Sequence, residues 1–377
     1  MWSNQVELVG TAVAGTNVLV VVNDQPCDRD GEKFRCRLAV SNSAGPVEMP
    51  IQVFAISNNV VASVSGTLYV AAASETITNL ASGATAGDSR FAYEWEGFDR
   101  LKTATATNLS TWIKVENTYQ ADDPTAADGR PEAGWRRAVK KVLQSSNSGA
   151  SWTTNETRSF VYDGWNLVCE TVTTTAQTYT NTYLWGLDLA GQRNGKYGQA
   201  GGGIGGLLAI TVTSNGTSTT YLPVADHNGN IHTVLDAGTG EVVAEYEYSP
   251  YGVLIAESGP KAQLFNLQFQ SKYYDRETEL YYFTARYLDP RSGKWLCRDP
   301  KGESTDVNLT KVCGGDPVGR WDNLGLEDNN EVVLFPMKEW NVWAAKWKWD
   351  YQPPQPVAKA WVPVSYTHLT LPTNREV

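Results

Sequence analysis

Residues 273–300 read YYDRETELYYFTARYLDPRSGKWLCRDP, and residues 321–326 read WDNLGL. Both stretches contain turn signals, because Asp299 precedes a proline and Asp322 lies three residues before Gly325. An aspartate at such a position caps the turn with its own side chain. On residue type alone, we therefore expect Asp299 and Asp322 to be ordinary turn residues.

The sequence before this segment alternates short strand signals with turn clusters. Runs rich in β-branched or aromatic residues lie at 18–22, 68–72, 171–175, 210–213 and 242–248. Clusters rich in Gly, Asn, Asp, Ser or Pro lie at 41–46, 122–124, 228–230 and 238–240. No long stretch with a 3.6-residue period precedes the C-terminal tail. The pattern predicts successive β-hairpins.

A weak internal repeat follows the same spacing. Its unit is an aromatic–acidic pair, then a glycine or turn, then an apolar strand, and examples begin at Tyr93, Phe160, Ala225 and Tyr246. The Asp163-Gly164 and Asn228-Gly229 pairs supply the positive φ that a tight hairpin turn needs. Because one hairpin is unstable alone, we expect several to stack into a continuous sheet.

The composition argues against a nucleic-acid-binding protein. The formal net charge is −10, and phosphate contacts need clustered Lys and Arg. The densest basic cluster is Arg136-Arg137 with Lys140-Lys141, which we interpret as a solvated face. The 14 Trp and 18 Tyr suit either a carbohydrate-binding surface or the wall of a large β-structure.

The five cysteines do not form a metal-binding pattern. Cys27 and Cys36 flank a turn-like stretch and would either form a disulfide across a hairpin or remain two buried thiols. There is no CxxC, and His227 and His232 belong to no metal-binding motif. We therefore predict no metal and no cofactor.

Two further sequence features have structural interpretations. The glycine-rich run 201–206 lacks the GK[ST] signature of a phosphate loop, so a turn or a close approach to a sheet is expected. No apolar run reaches the 18 residues of a membrane span. The N-terminal stretch lacks a basic n-region and is not a convincing signal peptide.

The unit Tyr162-Asp163-Gly164 resembles a YD repeat, and residues 273–326 resemble the Rhs repeat-associated core. This resemblance to the Rhs/YD-repeat family covers about residues 91–326. It implies a mainly β fold, in which stacked antiparallel hairpins form part of a spiralling β-shell.

The expected organisation has five parts. These are a β-rich segment (1–85), the YD-repeat shell (86–270), the Rhs repeat-associated core (271–326), a variable tail (327–364) and a stretch resembling an adaptor or assembly junction (365–377). In the tail, Trp340, Trp343 and Trp347 share one helical face, which predicts a short Trp-rich helix docked on the shell or the start of a truncated effector.

The resemblance also implies a self-cleaving site. Many family members cut themselves after the final Gly-Leu with two aspartates and an arginine, which here are Asp299, Asp322 and Arg286. The cut would separate Leu326 from Glu327. The implied function is a shell segment of a polymorphic toxin-like Rhs protein that encloses a C-terminal effector, without activity on external substrates.

Such a site has a plausible chemistry. Two carboxylates about 4 Å apart repel by roughly 4 kcal/mol at an effective dielectric near 20, enough to keep one protonated near neutral pH. One would activate water while the other polarises the carbonyl. Arg286 would orient one aspartate or stabilise the oxyanion.

Three positions depart from the family pattern. Asn323 replaces the usual Pro, Thr310 replaces the usual Tyr, and Glu279 replaces a usual Gly. If position 279 needs positive φ, Glu costs about 1 kcal/mol there. The change at Asn323 loosens the backbone next to Asp322 and predicts reduced or lost cleavage.

The alternative is a non-catalytic cell-surface β-shell for adhesion or glycan binding. The expected partners of the first hypothesis are the chain's own C-terminal effector and delivery or immunity proteins, whereas glycans are the partners of the second. Neither includes nucleic acid bound by the shell or a transmembrane segment. The family resemblance implies secretion from, or the cell surface of, a bacterium, with the export signal upstream of this chain.

Overall fold

A computed structural model describes most of the chain up to residue 329. The described residues are 5–12, 18–31, 33–43, 45–57, 60–70, 76–106, 111–121, 133–191, 203–304, 306–326 and 328–329. The predicted Trp-rich tail, the turn predicted at 122–124, residues 201–202 and Glu327 lie outside them.

The N-terminal part contains two small sheets that share one core. Its strands are β1 (Gln5–Thr11), β2 (Leu19–Val22), β3 (Gln25–Pro26), β4 (Asp28–Asp30), β5 (Lys33–Ala39), β6 (Val47–Ser57) and β7 (Val60–Val70). The sheet orders are β1-β5-β4 and β3-β2-β6-β7. In β5, Phe34, Cys36 and Leu38 alternate with exposed residues and pack against Val20 and Val22 of β2, as the two-residue period of a half-buried strand requires.

The two N-terminal cysteines are thiols in the structure. Cys27 Sγ and Cys36 Sγ lie 3.9 and 4.0 Å from the same carbonyl oxygen of Gln25. Burial, together with the neighbouring Cys36 thiol, raises the pKa of Cys27 to about 12. Of the two alternatives for this pair, the structure therefore has the free thiols.

Residues 78–258 form one fourteen-stranded antiparallel meander. Its strands are β8 (Thr78–Asn79), β9 (Thr85–Gly87), β10 (Ala92–Glu96), β11 (Arg100–Ala106), β12 (Trp112–Tyr119), β13 (Arg137–Ser145), β14 (Thr153–Asp163), β15 (Asn166–Thr174), β16 (Thr178–Trp185), β17 (Leu207–Ser214), β18 (Thr217–Ala225), β19 (Ile231–Asp236), β20 (Val242–Tyr248) and β21 (Leu254–Ser258). Each strand is hydrogen-bonded to its neighbours in the chain. The predicted mainly β fold of stacked antiparallel hairpins is confirmed.

Glycines make the predicted turns. The connection between Asp163 and Asn166 has two residues, and Gly164 has φ +59° there. Gly229, in the turn before β19, has φ +76°. Both values lie in the left-handed region that glycine enters without a steric penalty, which confirms the expected positive φ.

Residues 262–326 pack against one face of the meander. They contain β22 (Tyr273–Asp275), β23 (Leu280–Tyr282), β24 (Tyr287–Asp289) and β25 (Lys294–Trp295) as a four-stranded sheet, and β26 (Trp321–Asp322), which pairs with β27 (Asp328–Asn329). Short 3₁₀ turns lie at Gly97–Asp99, Ala133–Trp135, Ala262–Leu264, Phe269–Ser271, Gly302–Ser304 and Cys313–Gly315. Edge-to-face contacts of Phe160 with Tyr273 and of Tyr221 with Phe265 join the two layers.

A buried ionic cluster also joins these layers. Arg137 Nη1 and Lys140 Nζ of β13 lie 2.6 and 2.9 Å from the two oxygens of Asp275, and Lys140 also lies 2.6 Å from Glu277. Arg137 and Lys140 are almost completely buried, so the interpretation of this basic cluster as a solvated face was wrong for both. Lys141 is exposed as predicted. The compensating carboxylates lie 135 to 138 residues away in sequence, and local composition does not reveal them.

The carboxyl of Asp275 is held in its charged form. Burial alone would raise its pKa, but the charges and hydrogen bonds of Arg137 and Lys140 hold the pKa below its usual value. A lowered folded-state pKa stabilises the fold above the unfolded-state pKa, and this stabilisation is lost as the pH falls through the folded-state value.

Replacing Asp275 with Asn should lower the free energy of unfolding by about 3–5 kcal/mol at neutral pH, because two buried cations lose their shared carboxylate. The deficit should shrink as the pH falls below about 4, where the unfolded chain takes up a proton at Asp275, and should close only at the lower pH at which Asp275 of the folded protein is protonated. Denaturant titrations at several pH values measure both effects. Lys141→Ala, on the exposed neighbour, should change stability by less than about 0.5 kcal/mol. Equal losses in the two variants would contradict the buried-cluster account.

Candidate functional site

Three backbone N–H groups of the final Gly-Leu segment donate hydrogen bonds to one carboxylate oxygen. Asp322 Oδ1 accepts hydrogen bonds from the backbone N–H groups of Leu324 (3.2 Å), Gly325 (2.7 Å) and Leu326 (2.9 Å). Gly325 has φ +74°, and a Cβ there would lie 3.2 Å from Arg286. The segment therefore requires both the aspartate that caps it and the glycine that turns it.

Arg286 lies between the two candidate aspartates. Its Nη2 is 3.1 Å from Asp299 Oδ2 and 3.5 Å from Asp322 Oδ2, and its Nε donates a hydrogen bond to the carbonyl oxygen of Gly325. The guanidinium also lies 4.5 Å from the ring centroid of Trp295, a cation–π contact.

The structure thus brings Arg286, Asp299, Asp322 and Leu326 together. Asp322 is completely buried, and the other three have at most 9% of their surface exposed. Asp299 Oδ1 accepts from the N–H of Lys301 at 2.8 Å, so Asp299 also caps a turn. Both aspartates are turn residues and contact the same arginine, so the two interpretations of these residues are compatible.

Comparisons with known proteins agree with this architecture. The Teneurin YD-shell family model matches residues 205–312. The tRNA3(Ser)-specific nuclease WapA of Bacillus spizizenii is 28% identical over 258 residues, which are 66% of this chain and 9% of that protein. Toxin subunit YenC1 of Yersinia entomophaga is 36% identical over 92 residues, 24% of this chain and 9% of that subunit.

The chain is similar to Rhs/YD-repeat proteins, and these matches support that family. Its fold is similar to part of the Tc holotoxin pore of Photorhabdus luminescens, with a TM-score of 0.50 and 16% identity over 76% of this chain and 14% of that one. The chain spans about 9% of the length of the two curated relatives named above.

Two further polar residues lie at the site, and no motif in the sequence pointed to either of them. The completely buried Gln270 accepts from the N–H of Asp322 at 3.1 Å. Burial lowers the pKa of Lys272 to about 8, against the opposing charges of Asp322 and Asp188. The only sequence signal was the placement of amide and cationic side chains between aromatic residues.

A strained turn presents Arg286 to the site. The N–H of Ala285 donates to the carbonyl of Phe283 at 3.1 Å, and Thr284 between them has φ +77°. This is the rare γ-turn of positive φ, which is unfavourable for a β-branched residue. The N–H of Ala285 lies 3.0 Å from the carbonyl of Leu324 as well, so the turn is fixed against the Gly-Leu segment.

The family departures have local consequences. Glu279 has φ +58°, so this position does use the conformation that a glycine would adopt without strain, and its carboxylate lies 2.6 Å from Arg90 Nη1. Asn323 is buried directly after Asp322.

No group of His, Cys, Asp or Glu in the described part of the chain could hold a metal ion. Within the same residues, no helix is long and apolar enough to cross a membrane.

Replacing Thr284 with Gly should stabilise the fold relative to Thr284→Ala by about 1 kcal/mol. Both variants remove the branched side chain, but only glycine removes the Cβ that makes positive φ unfavourable. Part of the gain is offset by the larger entropy of glycine in the unfolded chain. Denaturation midpoints measured side by side compare the two, and an alanine variant as stable as the glycine variant would contradict a strain larger than the entropy cost of glycine at this position.

Proposed function

We propose that this chain is a shell segment of a polymorphic toxin-like Rhs protein, which encloses a C-terminal effector and cleaves itself after Leu326. Support comes chiefly from one arrangement, the contact of buried Arg286 with Asp299 and Asp322 beside the Gly-Leu segment. The relatives include a protein named as a nuclease and a protein named as a toxin subunit. We extend that toxin context to this chain as part of the proposal.

The two aspartates have different surroundings, which supports different roles. Asp322 Oδ1 is committed to three backbone N–H groups of the Gly-Leu segment, so Asp322 holds and orients the peptide to be cut. Asp299 retains slight exposure and is the candidate general base for water. Arg286 reaches the backbone at Gly325 and is the candidate group to stabilise the oxyanion.

The reaction is the hydrolysis of one peptide bond. Asp299 takes a proton from water, and the resulting hydroxide oxygen adds to the carbonyl carbon of Leu326. Arg286 stabilises the negative charge on the carbonyl oxygen. The C–N bond then breaks as that proton passes from Asp299 to the nitrogen of Glu327, which leaves a carboxylic acid on Leu326 and an amine on Glu327. The acid then gives its proton to the amine, so the products are a carboxylate and an ammonium group.

This aspartic-type cleavage would happen once for each chain and would not need an external substrate. It would free residues from Glu327 onward from the covalent hold of the shell. The proposed setting is secretion from, or the surface of, a bacterium, with delivery or immunity proteins as further partners. A passive β-shell that binds glycans is the alternative that the experiment below would favour if no cut occurs.

Of the two outcomes expected from Asn323, the proposal requires reduced rather than lost cleavage, so intact mass spectrometry of the purified chain should find at least a partial break between Leu326 and Glu327. Asp299→Asn and Asp322→Asn should slow the cut at least about 100-fold, because the first removes the general base and the second removes the charge that pairs with Arg286 beside the Gly-Leu segment. Asp316→Asn is the matched control, since Asp316 caps an exposed turn through the N–H of Gly319. An uncut wild type, or a cut that persists in both site variants, would overturn the proposal.

A further inference from the structure

The side chain of Gln270 pairs with the backbone on both sides of Trp321. Its Oε1 accepts from the N–H of Asp322 (3.1 Å) and its Nε2 donates to the carbonyl of Arg320 (3.3 Å). The amide is completely buried and therefore fixes the backbone that carries Asp322. A neutral amide does not take up protons at ordinary pH, so its role here is positional.

Gln270 is held in a conformation that it does not favour by itself. Gln270 and Ser271 have φ +49° and +53°, and each such residue costs about 1–2 kcal/mol. Strain of this kind persists only where the surroundings impose it. The contacts that hold Gln270 and Ser271 at positive φ come from loops of the meander.

The turn before β19 provides these contacts. Asn230 Oδ1 accepts from the N–H of Gln270 at 2.9 Å, and Ser271 Oγ donates to the carbonyl of Gly229 at 2.9 Å. The N–H of Gly205 donates to Ser271 Oγ at 2.9 Å. The strained pair at 270–271 is thus held between the turn and the glycine-rich loop.

Asp226 orients the side-chain amide of Asn230 for its hydrogen bond with Gln270. Its Oδ2 accepts from Asn230 Nδ2 at 2.9 Å, which leaves Asn230 Oδ1 to receive the N–H of Gln270. Gly229 and Gly205 approach so closely that a Cβ on Gly229 would lie 2.9 Å from the nitrogen of Gly205. Gly205 of the glycine-rich run therefore allows the backbone to approach Gly229 closely, as the sequence predicted.

We infer that Gln270 is a positioning residue through which docking of the turn 226–230 controls the orientation of Asp322. The inference rests on the proposed self-cleavage and adds a regulatory property to it. The peptide after Leu326 is cut only after this hairpin of the shell has docked on residues 268–272. An incompletely folded shell would then keep its effector covalently attached.

The test follows the rate of the cut after dilution of the full chain from denaturant. Gln270→Ala should slow the cut at least about tenfold. Asn230→Ala should slow it several-fold, and the double variant should be no slower than Gln270→Ala alone, since both act through one path. Asn215→Ala, in the exposed turn between β17 and β18, is the control and should cut at the wild-type rate.

A second variant separates positioning from general loss of folding. The carboxyl introduced by Gln270→Glu lacks the donor to Arg320 when ionised but mimics the amide when protonated. The ratio of its cutting rate to the wild-type rate should therefore rise as the pH falls, whereas misfolding would lower it at every pH.

The outcomes distinguish the two proposals. If the wild type is not cut, the proposed function fails and the inference fails with it. If the wild type is cut and Gln270→Ala cuts at the same rate, only the positioning role is overturned. The same holds if the rate losses of Gln270→Ala and Asn230→Ala multiply in the double variant.

Discussion

The contact of one buried guanidinium with two carboxylates organises the C-terminal part of this chain. Removing an ion from water costs several kcal/mol, which is recovered only when the geometry supplies opposite charges and hydrogen bonds. Arg286, Asp299 and Asp322 are each almost completely buried. None of them is stable there without the others, so the segments that carry them must fold as one unit around the Gly-Leu turn.

The same constraint operates between this segment and the meander. Arg137 and Lys140 enter the interior because Asp275 and Glu277 meet them there. A one-residue slip of β13 would move its side chains to the opposite face of the sheet and leave buried carboxylates without partners. The ionic cluster therefore determines the register in which β13 packs against residues 262–326, and it also contributes to the stability of that contact.

Backbone strain is concentrated next to the same contacts. Gln270, Ser271, Glu279 and Thr284 all have positive φ, and all lie in the segment that carries or supports the candidate site. Such conformations require a surrounding structure that imposes them. Because these strained residues depend on their neighbours, the folding of the shell is coupled to the geometry around Asp322. This explains why a hairpin turn more than 90 residues before Asp322 contributes to the placement of that aspartate.

The sequence by itself determined the hairpins, their glycine turns and the identity of the three candidate residues. Strand alternation and positive φ depend on neighbours within a few residues, which a single sequence displays, and the motif at 273–326 supplied Arg286, Asp299 and Asp322 by resemblance. Only the tertiary structure decided that Arg137 and Lys140 are buried, that Gln270 supports Asp322, and that both aspartates share one arginine. Burial of a charge or an amide depends on partners that are often more than 50 residues away, and their meeting is set by the packing of the sheet rather than by local sequence.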